Sequence, residues 1–195
     1  MAPSKLDRRQ VMARLLDKRG DLLLVTGLGG TTWDAAAAGD NDLNFYVWGG
    51  MGYAAMIGLG LALARPDRRV LVVTGDGEML MGLGGLATIA AAHPVNLAVV
   101  VFDNGVYGET GMQLTHTAMG ADLAAIAQGA GIAESTTVVD QDGVAALAKR
   151  IRVAPGPLFA AVKIDAKTPP MVLPPRDGGY LKNRFRLAVI GAGAV

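Results

Sequence analysis

The chain has 195 residues, a formal net charge of +1 at neutral pH and no cysteine. This length suits one domain with a sizeable core. The near-neutral charge gives no support to nucleic-acid or polybasic membrane binding, and the lack of cysteine excludes disulfides and thiolate metal sites. Residues 49–64, the longest apolar stretch, are glycine-rich and too short for a typical membrane span. We therefore expect a soluble, cytoplasmic protein that binds neither nucleic acid nor membrane.

Short apolar runs alternate with helical patterns along the whole chain. The first 20 residues, with charged and apolar residues at helical spacing, predict a surface helix rather than a signal peptide. Strands are predicted at 21–26, 44–48, 69–74, 95–103, 135–140 and 157–165, and helices at 51–64, 79–92, 121–131 and 142–151. A further short helix follows the first strand, with Thr31 or Thr32 as its expected cap, and Asp142 is expected to cap the helix at 142–151.

This alternation predicts the fold class. Strands that alternate with helices indicate an α/β fold, here a single three-layer α/β/α domain with a mostly parallel sheet. Residues 1–166 are assigned to this domain, including the N-terminal helix. Residues 167–195 are assigned to a C-terminal tail, which contains two Pro-Pro pairs and then a short helix around 180–188.

Four glycine-rich loops follow apolar strands in this arrangement. They are 27–32, 49–51, 75–79 and 103–113. In open parallel sheets, ligands bind beyond the carboxyl ends of the strands. The four loops therefore predict one ligand site at that edge of the sheet.

The ligand is not held by the usual phosphate-binding motifs. Residues 70–148 contain no lysine or arginine, which excludes a Walker-type lysine, and GLGGTT at 27–32 lacks the third glycine of a dinucleotide fingerprint. Asp76, which follows the strand at 69–74, instead suggests a divalent cation, because Mg²⁺ prefers carboxylate and phosphate oxygens. Asn104 lies 28 positions later, a distance that fits one helix and one returning strand, so both side chains are expected at neighbouring strand ends.

The sequence GDG at 75–77 with Asn104 resembles the thiamin diphosphate (TPP) binding motif. Most of the chain, above all residues 49–90, is similar to the TPP-binding (PP) domain of the decarboxylase and acetolactate-synthase superfamily. The stretch DNGVYGETGMQ (103–113) is similar to one in the β subunit of sulfopyruvate decarboxylase and in the C-terminal half of phosphonopyruvate decarboxylase.

This resemblance implies a set of binding residues. The Mg²⁺ ligands would be the side chains of Asp76 and Asn104 and the main-chain carbonyl of Val106. Met51 would support the bent cofactor beneath its thiazolium ring. The full set implied for the cofactor is Gly30, Thr31, Gly49, Met51, Gly75, Asp76, Gly77, Glu78, Met79, Asn104, Val106, Tyr107 and Gly108.

The resemblance also implies that one catalytic residue is not on this chain. In this superfamily a glutamate on a second (PYR) domain activates the cofactor, and 195 residues leave room for only one such domain. A separate α subunit is therefore expected to supply that glutamate, in an α2β2 or larger hetero-oligomer. The implied function is that of the β subunit of a 2-oxo acid decarboxylase, a lyase. A subunit of an acetolactate-synthase-like carboligase and a non-catalytic TPP-binding subunit are the alternatives.

Three residues are candidates for a catalytic role: Glu109, Gln113 and His116, all in or just after the fourth loop. For His116 the role would be that of a proton donor or an anion contact, and the alternative is a loop histidine that forms a surface hydrogen bond. Glu78 replaces the small residue that often follows GDG in this superfamily. Two roles are open for it, a solvated acid in the first turn of a helix or a contact to the partner subunit. Its place at the diphosphate end makes it unsuitable as the catalytic glutamate.

Basic residues are scarce around the predicted site. A sulfonate or phosphonate substrate would favour a guanidinium or ammonium group. Between residues 20 and 148 the only candidates are Arg65, Arg68 and Arg69, which precede a strand and so belong to the opposite edge of the sheet. Either the partner or the tail is expected to supply the cation, or the substrate is less charged. The basic residues of the tail are Arg176, Lys182, Arg184 and Arg186.

Overall fold

The computed structural model describes residues 6–194. Six parallel strands form one sheet in the order β2-β1-β3-β4-β8-β7, and two short antiparallel strands, β5 and β6, form a separate hairpin. The strands are β1 (Leu23–Thr26), β2 (Asn44–Tyr46), β3 (Val70–Gly75), β4 (Leu97–Asp103), β5 (Val106–Tyr107), β6 (Gln113–Leu114), β7 (Glu134–Val138) and β8 (Leu158–Lys163). The prediction of a parallel α/β sheet is confirmed.

Helices cover both faces of this sheet. They are α1 (Arg8–Leu16), α2 (Gly30–Ala37), α3 (Ala54–Ala64), α4 (Asp76–Met81), α5 (Gly84–Ala92), α6 (Leu123–Gly129), α7 (Gln141–Val153) and α8 (Gly178–Ile190). One apolar core joins α1, α2 and α7 to one face, and a second core joins α3, α5 and α6 to the other. Alternate residues of each strand contribute to each core, as expected for a sheet buried on both sides.

The central strands β3 and β4 show why the sequence pattern identified them. Their sequences, VLVVTG and LAVVVFD, are almost entirely apolar, and nearly every residue is buried. The register pairs Gly75 with Phe102, so both strands end at the same level of the sheet. The residues that follow them, Asp76 and Asn104, therefore begin at one edge.

Two predicted helices differ in detail from the structure. The N-terminal helix is not only a surface helix, because Val11, Met12 and Leu15 are fully buried. The helix predicted at 79–92 begins earlier, at Asp76, and is broken into α4 and α5. At the break, the carbonyl of Gly52 approaches Gly82 so closely that a side chain at residue 82 would overlap it.

Two predicted caps were wrong. The side chain of Asp140, not Asp142, caps α7 by accepting a hydrogen bond from the Gly143 N–H at 2.8 Å. Helix α2 has Gly29 at its N-cap and no side-chain cap, since the hydroxyls of Thr31 and Thr32 donate to the carbonyl of Gly27 instead. The start of α2 therefore keeps main-chain N–H groups that no side chain caps.

The C-terminal segment returns to the sheet. After an extended stretch, α8 packs beside β2, and Leu181, Phe185 and Val189 are buried there. The rings of Phe45 and Phe185 lie 5.3 Å apart between centroids. Within residues 6–194, no helix is both long and apolar enough to cross a membrane.

Candidate cofactor site

A cavity of about 380 Å³ lies at the carboxyl edge of the sheet. It is lined by residues from all four predicted loops, including Leu28, Met51, Gly75 and Asn104. The loops meet there because β1, β2, β3 and β4 are adjacent and parallel, so their carboxyl ends share one edge.

Asp76 lies in the wall of this cavity as the first residue of α4. The hydroxyls of Thr115 and Thr117 donate to its Oδ2 atom at 2.5 and 2.9 Å, so these two hydrogen bonds leave Oδ1 unengaged. Burial raises the pKa of Asp76 above its ordinary value, against the effect of the hydrogen bond from Thr115. A cation at Oδ1 would stabilise the charged form of this carboxylate.

Asn104 and Val106 line the same cavity from the loop after β4. The Oδ1 atom of Asn104 accepts a hydrogen bond from the Val106 N–H at 3.0 Å, which fixes the side chain against the start of the β5–β6 hairpin. This hairpin lies where the sequence predicted a glycine-rich loop, and it could not be predicted because strands of two residues carry no periodic signal.

A second acid lies next to this pair. Asp103, the last residue of β4, forms an ion pair with Lys163 at 2.5 Å, and its Oδ1 atom lies 2.7 Å from the hydroxyl of Thr117. The Thr117 hydroxyl is thus within hydrogen-bonding distance of both Asp76 and Asp103, and its single proton is donated to one of the two carboxylates at a time. Lys163 does not line the cavity, and its charge is paired with the carboxylate of Asp103 rather than with a ligand.

Glu78 is buried, which rules out the predicted solvated acid. Only 4% of its surface is exposed, and its Oε2 atom accepts a hydrogen bond from the Leu28 N–H at 3.2 Å. Burial raises the pKa of this carboxyl group, and hydrogen bonds from the surrounding loops oppose that rise. The Oε1 atom is buried without a hydrogen-bond partner among residues 6–194. Glu78 thus joins the first and third loops inside this chain.

The other predicted site residues divide into two groups. Those that line the cavity with Asp76, Glu78, Asn104 and Val106 are Gly30, Thr31, Met51, Gly75, Gly77, Tyr107, Gly108 and Glu109. Those outside its lining are Gly49, Met79, Gln113 and His116. Met79 is in the core, His116 is exposed at the start of a 3₁₀ helix, and Gln113 bonds to Thr110.

The sequence analysis missed Arg8 and Trp33, which also line the cavity. Arg8 begins α1, and its Nε atom donates to Asp34 of α2 at 2.6 Å. The expectation was that the partner or the tail would supply a cation, and the structure adds Arg8, from the start of the chain, as a cation at the cavity. The tail residue Arg184, in contrast, is bound to Asp40, and Arg176 lies over the ring of Trp48.

A comparison with known families matches residues 30–162 to the thiamine pyrophosphate enzymes, in their C-terminal TPP binding domain. The chain belongs to this family. The matched segment begins at the first residue of α2 and ends in β8, so it contains most of the cavity lining. The resemblance on which the sequence analysis depended is confirmed.

Relatives of this TPP-binding domain include decarboxylases. The β subunit of sulfopyruvate decarboxylase from Methanothermobacter thermautotrophicus is 36% identical over 187 residues, 96% of this chain and 97% of that protein. Phosphonopyruvate decarboxylase from Streptomyces hygroscopicus is 46% identical over 108 residues, 55% of this chain but 26% of that protein. These two match the relatives that the motif at 103–113 indicated.

The fold of this TPP-binding domain also has solved neighbours. Benzoylformate decarboxylase from Polynucleobacter necessarius superposes with a TM-score of 0.71 at 21% identity. The match covers 88% of this chain and 35% of that one, so the present chain spans about a third of the solved protein. The likeness confirms the predicted fold.

The residues present fit TPP and Mg²⁺. Asp76, Asn104 and the carbonyl of Val106 offer oxygen atoms only, as Mg²⁺ prefers. No group of three or more His, Asp or Glu side chains within the described part of the chain is arranged to hold a metal, so a metal here depends on mixed oxygen ligands. A side chain built at Gly75 would meet no atom within 4 Å, which shows open space next to Asp76.

Proposed function

We propose that this chain is the TPP- and Mg²⁺-binding subunit of a 2-oxo acid decarboxylase. The observation that carries the proposal is the pair Asp76 and Asn104, which follow adjacent strands and line one cavity. The named relatives, a sulfopyruvate and a phosphonopyruvate decarboxylase, support a substrate with a 2-oxo acid group and a second anionic group.

Asp76, Asn104 and the Val106 carbonyl would hold the metal ion. The N–H groups of Gly77, Glu78 and Met79, at the start of α4, would bind the diphosphate, and those of Gly77 and Glu78 lack partners within the helix. Further contacts would come from Gly30, Thr31, Gly49, Gly75, Tyr107 and Gly108. When bound, TPP supplies the electron sink that a 2-oxo acid needs to lose CO₂.

Met51 would have a different role. Its side chain lines the cavity from the second loop and is apolar, so it would support the cofactor by packing and exclude water from beneath it. The carbonyl of the neighbouring Gly52 lies against the α4–α5 break, which ties the second loop to the helix of the metal ligand. Met51 and Asp76 would thus be held in a fixed position relative to each other.

The catalytic glutamate would come from a partner. Glu78 is buried between loops of this chain, beside the first turn of α4, which leaves it unable to reach the far end of a bound cofactor. A PYR-domain α subunit, in an α2β2 or larger assembly, would supply the missing acid. The name of the relative, subunit beta, supports such a partner.

Glu109, Gln113 and His116 would contact substrate or partner. Glu109 already lines the cavity, whereas Gln113 and His116 lie outside its lining on the exposed segment that follows. Their roles are expected only in the assembled enzyme, where a second chain would close the site.

The test is reconstitution with a PYR-domain chain. The mixture should decarboxylate a 2-oxo acid with TPP and Mg²⁺, and Asp76→Ala should abolish both cofactor binding, measured by calorimetry, and CO₂ release. Asp67→Ala, an acid exposed in a turn at the opposite edge, is the matched control and should change neither.

Three results would contradict the proposal. Full activity of this chain alone would remove the need for a partner. Retained cofactor binding in Asp76→Ala would overturn the metal site. A condensation product from pyruvate without net decarboxylation to an aldehyde would indicate a carboligase.

A further inference from the structure

Arg8 is held in a fixed position at the cavity. Its Nε atom donates to Oδ2 of Asp34 at 2.6 Å, and its side chain is 12% exposed. Arg9 approaches the other oxygen of the same carboxylate at 3.6 Å. Because two guanidinium groups share one buried carboxylate, the cluster keeps a net positive charge.

The terminal nitrogens of Arg8, Nη1 and Nη2, have no hydrogen-bond acceptor within residues 6–194, because every hydrogen bond of this side chain in that part of the chain involves Nε. Arg8 is also the only lysine or arginine among the described residues that line the cavity. A guanidinium with two unpaired donors directed to a cavity favours an anion with paired oxygens.

These nitrogens lie at the start of α2. A side chain built at Gly30 would overlap the guanidinium, so Nη1 and Nη2 pack directly over this residue. Helix α2 begins at Gly30, has eight residues and has no side-chain cap, so no side chain satisfies the N–H groups of its first turn. Two independent donors to an anion, a guanidinium and a helix start, therefore meet there.

The remaining charges of the cavity show what Arg8 would offset. Its lining includes three acids, Asp76, Glu78 and Glu109, and the carboxylate of Glu109 lies over Gly29 beside the start of α2. A polyanionic ligand would be repelled by these acids unless cations compensated for them. One Mg²⁺ at Asp76 would compensate for part of the charge, and Arg8 is the basic group in a position to add to it.

We propose that Arg8 is a ligand of the cofactor diphosphate, bound through Nη1 and Nη2 at the start of α2. This inference rests on the proposed function, because it takes TPP as the occupant of the cavity. Asp34 acts as the positioning residue that orients the guanidinium. A side chain at residue 30 would overlap the guanidinium, so the end of the Arg8 side chain would have to move away from its present position at the helix start.

The test measures binding rather than turnover. The full chain, assembled with its partner subunit, is titrated with Mg²⁺ and either TPP or inorganic pyrophosphate in a calorimeter. Arg8→Ala should raise the dissociation constants for TPP and for pyrophosphate by about 10- to 100-fold, as expected for the loss of hydrogen bonds between charged groups. Arg9→Ala is the matched control, because Arg9 shares Asp34 but does not line the cavity, and should change neither constant.

A second variant separates binding from folding. Alanine is favourable in a helix, so Gly30→Ala should fold, and it should weaken pyrophosphate binding by moving the guanidinium. In the Arg8→Ala background the same substitution should have little further effect, because the two changes act on one contact. Additive effects of the two substitutions would overturn the proposal.

Other outcomes are equally decisive. An unchanged TPP dissociation constant in Arg8→Ala, with a raised KM for the 2-oxo acid, would assign Arg8 to the substrate anion and overturn the inference. In that case Asp76→Ala would still abolish TPP binding, and the proposed function would stand. A wild-type assembly that binds no TPP would overturn both.

Discussion

The two edges of the central sheet use charge in opposite ways. At the amino edge, arginines donate to main-chain carbonyls: Arg69 to Ile151 at 2.8 Å and Arg152 to Leu15 at 3.0 Å. At the carboxyl edge, Arg8 and Glu78 each keep side-chain atoms without a partner within residues 6–194. At the amino edge these donors serve carbonyls of the chain itself, although the Nε atom of Arg152 is buried without a partner among residues 6–194. At the carboxyl edge the atoms without a partner belong to residues that line a cavity, where a ligand can reach them.

This difference separates residues that stabilise the fold from residues that bind a ligand. A buried polar group without a partner costs free energy unless something else supplies the missing hydrogen bond. Such groups on the wall of a cavity therefore indicate a binding site more strongly than the number of charges does. Substitutions at the two edges should change different measured quantities.

The largest effect on stability is expected from Arg69→Met at the amino edge. The substitution removes the donor to the carbonyls of Ile151 and Ala154, and should lower the free energy of unfolding by about 2 kcal/mol. Urea denaturation measures this change, and calorimetry should show an unchanged TPP dissociation constant. A raised TPP dissociation constant with an unchanged free energy of unfolding would contradict the claim that residues at the amino edge affect stability and not binding.

The matched control for this variant is Arg150→Met. Arg150 forms an ion pair with Glu134, and both side chains are well exposed, so its removal should cost less than about 1 kcal/mol. Equal losses in the two variants would show that the main-chain carbonyls near Arg69 do not depend on it.

A smaller effect of opposite sign is expected from Glu78→Gln at the carboxyl edge. The amide keeps the size of the side chain but removes a charge whose burial is unfavourable. The free energy of unfolding without cofactor should therefore rise by about 1 kcal/mol. Thermal unfolding without cofactor measures it. A fall in stability would mean that the carboxylate charge itself holds the first and third loops together.

The smallest effect is expected from Arg184→Gln, away from both edges. Burial alone would raise the pKa of Asp40, but hydrogen bonds from Arg184 and Tyr46 outweigh it and hold the pKa below its ordinary value. A depressed carboxyl pKa contributes stability above the pKa of the unfolded chain, and this contribution is lost as the pH falls through the folded-state pKa.

The loss in Arg184→Gln should therefore be below about 1 kcal/mol at neutral pH and should shrink as the pH falls below about 4. Denaturation curves at several pH values measure it, with Lys182→Gln on the same helix as control. A loss that is constant with pH would show that Arg184 acts by packing alone.

The sequence predicted the central strands well because their apolar runs are continuous. The strand predicted at 69–74 is observed at 70–75, and the one predicted at 95–103 is observed at 97–103. The position of Asp76 and Asn104 at one edge of the sheet could be predicted from the order of the strands and helices alone. Local patterns could not show the break between α4 and α5, because it depends on the approach of Gly52 to Gly82.

Arg8 shows the limit of sequence reasoning at the site itself. It lies 22 positions before Gly30, on a helix whose pattern indicated only a partly apolar surface. Its place at the cavity depends on the packing of α1 against α2 and on the buried carboxylate of Asp34. The same holds for Glu78, whose burial results from contacts with a loop 50 positions away.

The anchoring of the N-terminal region has a practical consequence. Leu6 pairs with Ile164, and its carbonyl accepts a hydrogen bond from the Asp165 N–H at 2.9 Å, immediately before α1 begins. Ile164 lines the cavity, so the segment that precedes Arg8 is joined to the wall of the pocket. Removal of the chain through Leu6 would therefore disturb the wall of the pocket directly, even though Leu6 itself belongs to no helix or strand of the domain.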